Sequence, residues 1–76
     1  MSYTPKPNPC FLDIMEKWRV IGDNQVYTYK DKFYQWDGRH GEIEVFNKQG
    51  YHIMVIHAVT GERIKDAVRG RSINVR

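Results

Sequence analysis

The sequence predicts an α+β fold in which a short N-terminal helix packs on a highly twisted, four- to five-stranded antiparallel β-sheet. Two observations favour this class: apolar residues recur at helical spacing within 10–21, and apolar and polar residues alternate, as in half-buried strands, within 25–75. Residues 1–9 hold all three prolines and no periodic pattern, so they are expected to form an extended arm. A chain of 76 residues suffices for one domain, and we expect residues 1–76 to form one.

The predicted helix begins at a suitable N-terminus. Asn8 can act as the N-cap, and Pro9 suits the first helical position, where a missing N–H costs nothing. The apolar stripe that follows has the spacing i, i+3, i+4 and i+7 and consists of Phe11, Ile14, Met15 and Trp18. Because such stripes are typical of core packing, the helix is expected to lie on the apolar face of the sheet and to end at the turn-forming run 22–24.

Residues 33–46 predict the central β-hairpin, because two alternating runs flank the loop 38–41, which contains two glycines. If Asp37 lies opposite Glu42, antiparallel pairing places Glu44 on the same face as both. The opposite face is then apolar and consists of Tyr34, Trp36, Ile43 and Val45. Acidic side chains set close together cost stability, and sequences tend to break folding rules where function requires it, so this polar face is a candidate site.

Three further segments predict strands of the same sheet. Residues 26–29 precede a turn at 30–31, residues 51–57 follow a turn that ends at Gly50, and residues 63–68 supply the last strand. The expected pairs between the strand 51–57 and the hairpin are Val45 with Ile53, Glu44 with Met54 and Phe46 with His52. This register places the His52 side chain on the acidic face.

Composition excludes several classes of protein. The apolar runs are too short to cross a bilayer, and the N-terminus lacks the basic start and apolar core of a signal peptide, so delivery is expected to depend on a carrier. The single cysteine, Cys10, rules out an internal disulfide and a cysteine zinc site, and it favours a protein that acts in the cytosol.

Basic residues gather around the acidic face and predict a polyanionic partner. The formal net charge is +3, and a basic surface around an acidic pocket suits a nucleic-acid substrate. The alternative is an ordinary solvated surface. The basic residues expected to contact RNA are Lys32, Arg39, Lys65 and Arg69.

Asp37, His40 and Glu44, together with an arginine, supply the groups needed to cleave RNA without a metal or another cofactor. The ribose 2′-hydroxyl must lose a proton, the leaving 5′-oxygen must gain one, and the phosphorane charge needs a cation. Glu44 is the candidate base, because flanking acids or burial can raise its pKa toward the working pH. His40 is the candidate acid, and Asp37 is expected to orient its ring. An arginine suits the phosphate oxygens because its planar fork matches them.

Two other functions fit the same residues. A non-catalytic RNA-binding module would stack bases on aromatic side chains, which here would be Tyr27, Tyr29, Tyr34 and Trp36. A metal-dependent nuclease would coordinate a divalent ion through Asp37, His40, Glu42 and Glu44.

Residues 34–44, with the pattern Tyr-x-Trp-Asp-x-x-His-Gly-Glu-x-Glu, resemble the signature of the cytotoxic ribonuclease domains of cloacin and the ribosome-inactivating colicins. The similarity continues at Gly50-x-His52, at Thr60-Gly61-x-x-Ile64-Lys65 and at Arg71-x-Ile73. Similar domains occur at the tips of contact-dependent inhibition toxins. The resemblance implies a metal-independent endoribonuclease that cuts small-subunit ribosomal RNA at the decoding site and blocks translation.

The resemblance also implies roles for single residues. Asp37, His40, Glu44 and Arg71 match the family's catalytic residues, and Glu42 and Lys65 match positions in or near its RNA cleft. The sequence departs from the family at Phe46, where the family carries a tyrosine, and at 66–70, which replace a proline- and lysine-rich approach to the final arginine.

Partners and location follow from the same resemblance. A cognate acidic immunity protein is expected to hold the toxin inactive, and the ribosome is the expected target. The free toxin domain is expected to be a monomer. It is expected to be secreted, or delivered from the cell surface, as part of a larger toxin and to act in the cytoplasm of the target bacterium.

Overall fold

The computed structural model describes residues 3–76 and shows, within that range, one antiparallel sheet of six strands in which the spatial order follows the order along the chain. The strands are β1 (Glu16–Ile21), β2 (Asn24–Tyr29), β3 (Lys32–Asp37), β4 (Glu42–Phe46), β5 (His52–Ile56) and β6 (Arg63–Asp66). A 3-10 turn at Phe11–Ile14 precedes the sheet. The first two residues of the predicted arm lie outside the described residues.

The predicted α+β class is wrong, because the chain from residue 3 onward contains no helix beyond the 3-10 turn, and the sheet has six strands rather than four or five. The segment 16–21, predicted to be helical, pairs with β2 as strand β1. The overlooked signal is Gly22-Asp23, a two-residue hairpin loop in which Gly22 has a φ of 63°. Within the same residues, no helix has the length and hydropathy needed to cross a bilayer.

The apolar stripe predicted for a helix is divided between two places in the fold. Leu12, which lies outside that stripe, is the buried residue of the 3-10 turn at 1% exposure, whereas Ile14 is 56% exposed. Trp18 lies in β1 and packs against Phe33, with ring centroids 4.5 Å apart. Aromatic and β-branched residues such as Trp18 and Val20 suit a strand once a hairpin partner is available, so tertiary pairing outweighs the helical spacing.

The predicted central hairpin is confirmed. Asp37 pairs with Glu42 and Gln35 with Glu44, and the loop 38–41 connects the two strands. The apolar face packs against the N-terminal segment in a core made of Cys10, Leu12, Tyr27, Tyr34, Ile43, Val45 and Ile56. This leaves the other face of β3 and β4 for the polar side chains.

The predicted register between β4 and β5 is correct at one pair and wrong at two. Phe46 pairs with His52 as expected, but Val45 lies opposite Met54 and Glu44 opposite Val55, because a bulge interrupts the ladder. A bulge places an extra residue on one strand and therefore changes which side chains share a face. As a result, Val55 rather than Met54 joins His52 on the Glu44 face.

The C-terminal tail returns to the sheet after β6. The N–H of His52 donates to the carbonyl of Arg71 at 3.0 Å, and the N–H of Ile73 donates to the carbonyl of Gly50 at 2.8 Å. A side chain at Gly50 would collide with the carbonyl of Ile73, so a glycine is needed where the tail crosses. The predicted last strand, 63–68, ends at Asp66, and the residues after it supply the returning tail.

The predicted helix and the observed 3-10 turn bury different residues of the N-terminal segment, and this difference can be measured. Leu12→Ala should lower the free energy of unfolding by about 2–5 kcal/mol, because it removes a buried side chain, whereas Ile14→Ala should change it by less than about 0.5 kcal/mol. Urea unfolding of both variants provides the measurement. A larger loss for Ile14→Ala than for Leu12→Ala would contradict the fold described above and favour a helix.

Candidate active site

One row of paired residues crosses the polar face of the sheet and has Glu44 at its centre. Gln35 lies opposite Glu44 on one side and Val55 on the other, and Val55 in turn pairs with Lys65. Asp37 and Glu42 form the next pair on the same face. Since β4 has a neighbour on each side, its backbone holds the Glu44 side chain on a rigid element.

Glu44 is 4% exposed, and the side chains of Arg71 and His52 lie next to its carboxylate. Oε2 is in direct contact with Nη2 of Arg71, and Oε1 lies 3.5 Å from Nε2 of His52. Burial raises the pKa of Glu44, the Arg71 charge lowers it, the Asp37 charge raises it, and the net shift is upward. A carboxyl group with a raised pKa is suited to accept a proton near neutral pH.

The hydrogen bond to Nδ1 of His52 fixes the tautomer of the ring and leaves the proton on Nε2, the nitrogen nearer to Glu44. The N–H of Val68 donates to Nδ1 of His52 at 2.9 Å, so Nδ1 carries no proton. Burial and the Arg71 charge lower the pKa of His52, which keeps the ring neutral at pH 7 and its proton on Nε2. Nε2 has no hydrogen-bond partner within residues 3–76, and its nearest acidic atom is the Glu44 oxygen. His52 therefore lies beside Glu44 without a hydrogen bond to it. The sequence predicted the face on which His52 lies but not its proximity to the Glu44 carboxylate.

Asp37 and His40 form a second pair on the same face. Nδ1 of His40 lies 2.8 Å from Oδ2 of Asp37, and Oδ1 of Asp37 accepts the backbone N–H groups of Arg39 and His40. Partial burial raises the pKa of Asp37, but the hydrogen bonds from His40 and Arg39 outweigh it, so the net shift is downward. The ionised Asp37 holds the Nδ1 side of a half-exposed ring and leaves Nε2 for a ligand.

Arg71 reaches the site through a tight turn in the tail. Gly70 has a φ of 81°, the N–H of Arg71 donates to the carbonyl of Val68 at 3.3 Å, and the Arg71 carbonyl accepts from His52. The Arg71 side chain is 47% exposed. One guanidinium nitrogen contacts Glu44, so further N–H donors remain available to an anionic ligand. The departure from the resembled family at 66–70 is thus compatible with an arginine at this position.

The residues predicted to contact RNA lie at different distances from Glu44. Nζ of Lys65 is 2.8 Å from Oε1 of Glu42, on the site face, and Arg39 lines the cavity next to Asp37. Lys32 begins β3 and Asp37 ends it, so about 17 Å of strand separates them and the fold does not bring Lys32 to the site. Arg69 is exposed and, in the part of the chain that the structure describes, forms no ion pair.

Aromatic residues contribute less to this face than the RNA-binding alternative requires. Tyr27 and Tyr34 are 5% and 8% exposed and belong to the core, so their rings cannot stack bases. Phe46 is also buried, with its ring edge-on to His52 at a centroid distance of 5.4 Å. A tyrosine hydroxyl is absent at this position, and the Phe46 ring instead packs against the histidine that contacts Glu44.

A shallow cavity of about 130 Å³ is where a ligand can reach Glu44, Asp37 and Arg71, whereas His40 and His52 do not line it. Its walls include Gln35, Asp37, Arg39, Glu44 and Arg71. Among residues 3–76, no three His, Cys, Asp or Glu side chains converge in a way that could hold a metal ion. The donor groups present are therefore arranged in hydrogen-bonded pairs rather than around a common centre.

Comparison with known proteins identifies a family to which most of the chain is similar. A family model described as Cytotoxic matches residues 21–74, a range that contains all the side chains of the cavity described above except those of the N-terminal arm. No curated protein and no solved structure matches the chain. The matched range begins at the end of β1 and leaves out the arm and the 3-10 turn.

Replacement of His52 tests its proposed link to the tail. His52→Ala should expose the Val68 amide to faster hydrogen exchange, because the acceptor Nδ1 is lost, and should lower the free energy of unfolding by about 1–3 kcal/mol. Hydrogen-exchange NMR of Val68 provides the measurement. His57→Ala is the matched control, since His57 accepts only local amides, from Val59 and Thr60. Unchanged exchange at Val68 in His52→Ala would contradict the link.

Proposed function

This chain belongs to the Cytotoxic family of toxin domains, and we propose that its toxic activity is the metal-independent cleavage of RNA. The observation that carries the proposal is the buried Glu44 carboxylate, which contacts Arg71 on the same face as the Asp37–His40 pair. The proposed base and cation line one cavity, and the proposed acid, His40, is paired with Asp37 in the wall of that cavity. These are the groups that cleavage by the adjacent 2′-hydroxyl requires.

Glu44 acts as the general base in this mechanism. Its carboxylate takes the proton of the ribose 2′-hydroxyl, whose oxygen then attacks the adjacent phosphorus. Since burial raises the pKa of Glu44, the proton transfer is better matched at neutral pH than it would be for an exposed glutamate. The neutral His52 ring lies beside this carboxylate, with Nε2 3.5 Å from Oε1 of Glu44, and contributes to its burial.

His40 acts as the general acid. As the bond from phosphorus to the 5′-oxygen breaks, Nε2 of the protonated ring donates a proton to that oxygen, and Asp37 stabilises the imidazolium through Nδ1. The products are a 2′,3′-cyclic phosphate and a free 5′-hydroxyl. Arg71 stabilises the negative charge that builds on the phosphorane oxygens, using the guanidinium N–H groups that do not contact Glu44.

The substrate we propose is small-subunit ribosomal RNA, cut at the decoding site, as in the cloacin and colicin domains that residues 34–44 resemble. The net charge of +3 and the exposed Arg39 and Lys65 near the cavity support a polyanionic substrate. Cleavage there would block translation in the cytoplasm of the target bacterium.

The resemblance extends the proposal to partners and delivery. A cognate acidic immunity protein would protect the producing cell, and its charge would complement the basic surface. The domain would reach its target as part of a larger secreted or surface-delivered toxin and act as a monomer once free.

Single substitutions test the mechanism. Glu44→Gln and His40→Ala should each reduce cleavage by about 10²- to 10⁴-fold, because each removes a proton-transfer group, while the fold survives. The assay incubates ribosomes with each purified variant, with and without a chelator, and looks for one discrete RNA fragment. Glu62→Gln is the matched control, because Glu62 is exposed and lies outside the cavity.

Three results would contradict the proposal in different ways. Near-full activity of Glu44→Gln would remove the base from the mechanism. Loss of cleavage in the chelator would favour the metal-dependent nuclease instead. RNA binding by the wild-type chain without any product would favour a binding module, and circular dichroism of each variant separates these outcomes from misfolding.

A further inference from the structure

A second cleft opens beside the candidate active site, and we propose that it binds the nucleobase next to the scissile phosphate. The cleft has a volume of about 200 Å³, and its walls include Tyr3, Lys6, Asn24, Gln25, Tyr27 and Trp36. This inference rests on the proposed function and deepens it, because it assigns a base-binding subsite to the same RNA substrate.

The position of the cleft is the first argument for this occupant. Tyr3, Asn24 and Trp36 line both this cleft and the cavity that contains Glu44 and Arg71. The two spaces are therefore neighbours that share walls. An RNA strand whose phosphate contacts Arg71 has an unpaired base within one nucleotide of that phosphate, and the adjoining cleft is where this base can be accommodated.

Aromatic surface is the second argument. Nε1 of Trp36 donates to the carbonyl of Thr4 at 2.9 Å, which fixes an indole that packs partly against the core and also lines the cleft. The Tyr3 side chain is 67% exposed at the same cleft. Base stacking on such rings tolerates every base, so these two side chains supply affinity rather than selectivity.

The N-terminal arm holds Tyr3 at the cleft through specific contacts. The N–H of Thr4 donates to the carbonyl of Gly38 at 2.7 Å, and the Tyr3 ring lies directly over Gly38, where any Cβ atom would collide with it. Nζ of Lys6 donates to the hydroxyl of Tyr27 at 2.6 Å, which attaches the next part of the arm to strand β2. The exposed Tyr3 ring thus packs against the loop that carries His40, although residues 3–9 belong to no strand.

Hydrogen-bonding groups at the cleft indicate which bases it prefers. Nε2 of Gln25 donates to the carbonyls of Arg19 at 3.2 Å and Val26 at 3.0 Å, so its side-chain oxygen is the group left for a ligand. The exposed Asn24 amide offers one more acceptor and a donor. Acceptors at the edge of a base favour an exocyclic amino group, so adenine should bind better than uracil.

Titration with mononucleotides tests the inference on the 76-residue chain. Adenosine 5′-monophosphate should shift the NMR signals of the Asn24 and Gln25 side-chain amides and of the Trp36 indole N–H in a saturable way. Ribose 5-phosphate, which lacks the base, should not shift them. Uridine 5′-monophosphate should bind about 5-fold more weakly, as expected from the loss of one hydrogen bond.

Tyr3→Ala should weaken the binding of adenosine 5′-monophosphate by about 5- to 100-fold, the range expected for one lost stacking contact. Tyr51→Ala is the matched control, because Tyr51 is 62% exposed and lies outside both cavities. Equal shifts with ribose 5-phosphate, equal affinity for the uridine nucleotide, or unchanged affinity in Tyr3→Ala would overturn the inference.

Cleavage of RNA measured on the same samples separates this inference from the proposed function. Base-dependent shifts in a wild-type chain that cleaves no RNA would support the cleft and contradict the ribonuclease. Efficient cleavage with no base-dependent shift, and with the same KM in Tyr3→Ala as in the wild type, would support the ribonuclease and overturn the cleft.

Discussion

The burial of one carboxylate, that of Glu44, is the constraint on which the rest of this structure depends. A side chain that is 4% exposed on an interior strand has lost most of its hydration, and a charged group tolerates this only when protein partners replace the water. Arg71 supplies a cation to one carboxylate oxygen, and Nε2 of His52 lies 3.5 Å from the other. Neither partner lies near Glu44 in sequence. The fold must therefore bring β5 and the C-terminal tail to the middle of the sheet.

Two local features satisfy this requirement. The bulge in β5 places Val55, rather than Met54, opposite Glu44, while the Phe46–His52 pair keeps His52 on the same face. His52 then forms two hydrogen bonds to the tail. Its backbone N–H donates to the carbonyl of Arg71, and its Nδ1 accepts the N–H of Val68. The groups proposed for proton transfer, Glu44 and His40, therefore lie on a strand and a short loop. The proposed cation, Arg71, lies on the tail that His52 holds in place.

Much of the hairpin could be predicted from sequence, because its signals are local. Alternation and a glycine-containing loop specify which residues of β3 and β4 face each other, and so they place Asp37, Glu42 and Glu44 together. The N-terminal segment could not be assigned in this way. Its spacing matches a helix, and only the pairing of β1 with β2 across Gly22 decides in favour of a strand.

Other parts of the site depend on long-range contacts that no local pattern reveals. A binary pattern of apolar and polar residues does not report a bulge, so the expected pairs of β4 with β5 were displaced by one residue at Val45 and Glu44. The packing of Tyr3 against Gly38 and the hydrogen bond from His52 to Arg71 both join segments far apart in the chain. The residue types were visible in the sequence, but their contacts were not.

The protonation of Glu44 reports most directly on whether this buried pair exists in solution. An NMR titration of its side-chain carboxyl should give a midpoint above the ordinary glutamate pKa of 4.5, so that the ionised, proton-accepting form is lost as the pH falls through that raised value. In Arg71→Ala the midpoint should rise further, because the cation that lowers the pKa is gone. A midpoint at or below 4.5 in the wild type, or one that Arg71→Ala leaves unchanged, would contradict the buried Glu44–Arg71 pair.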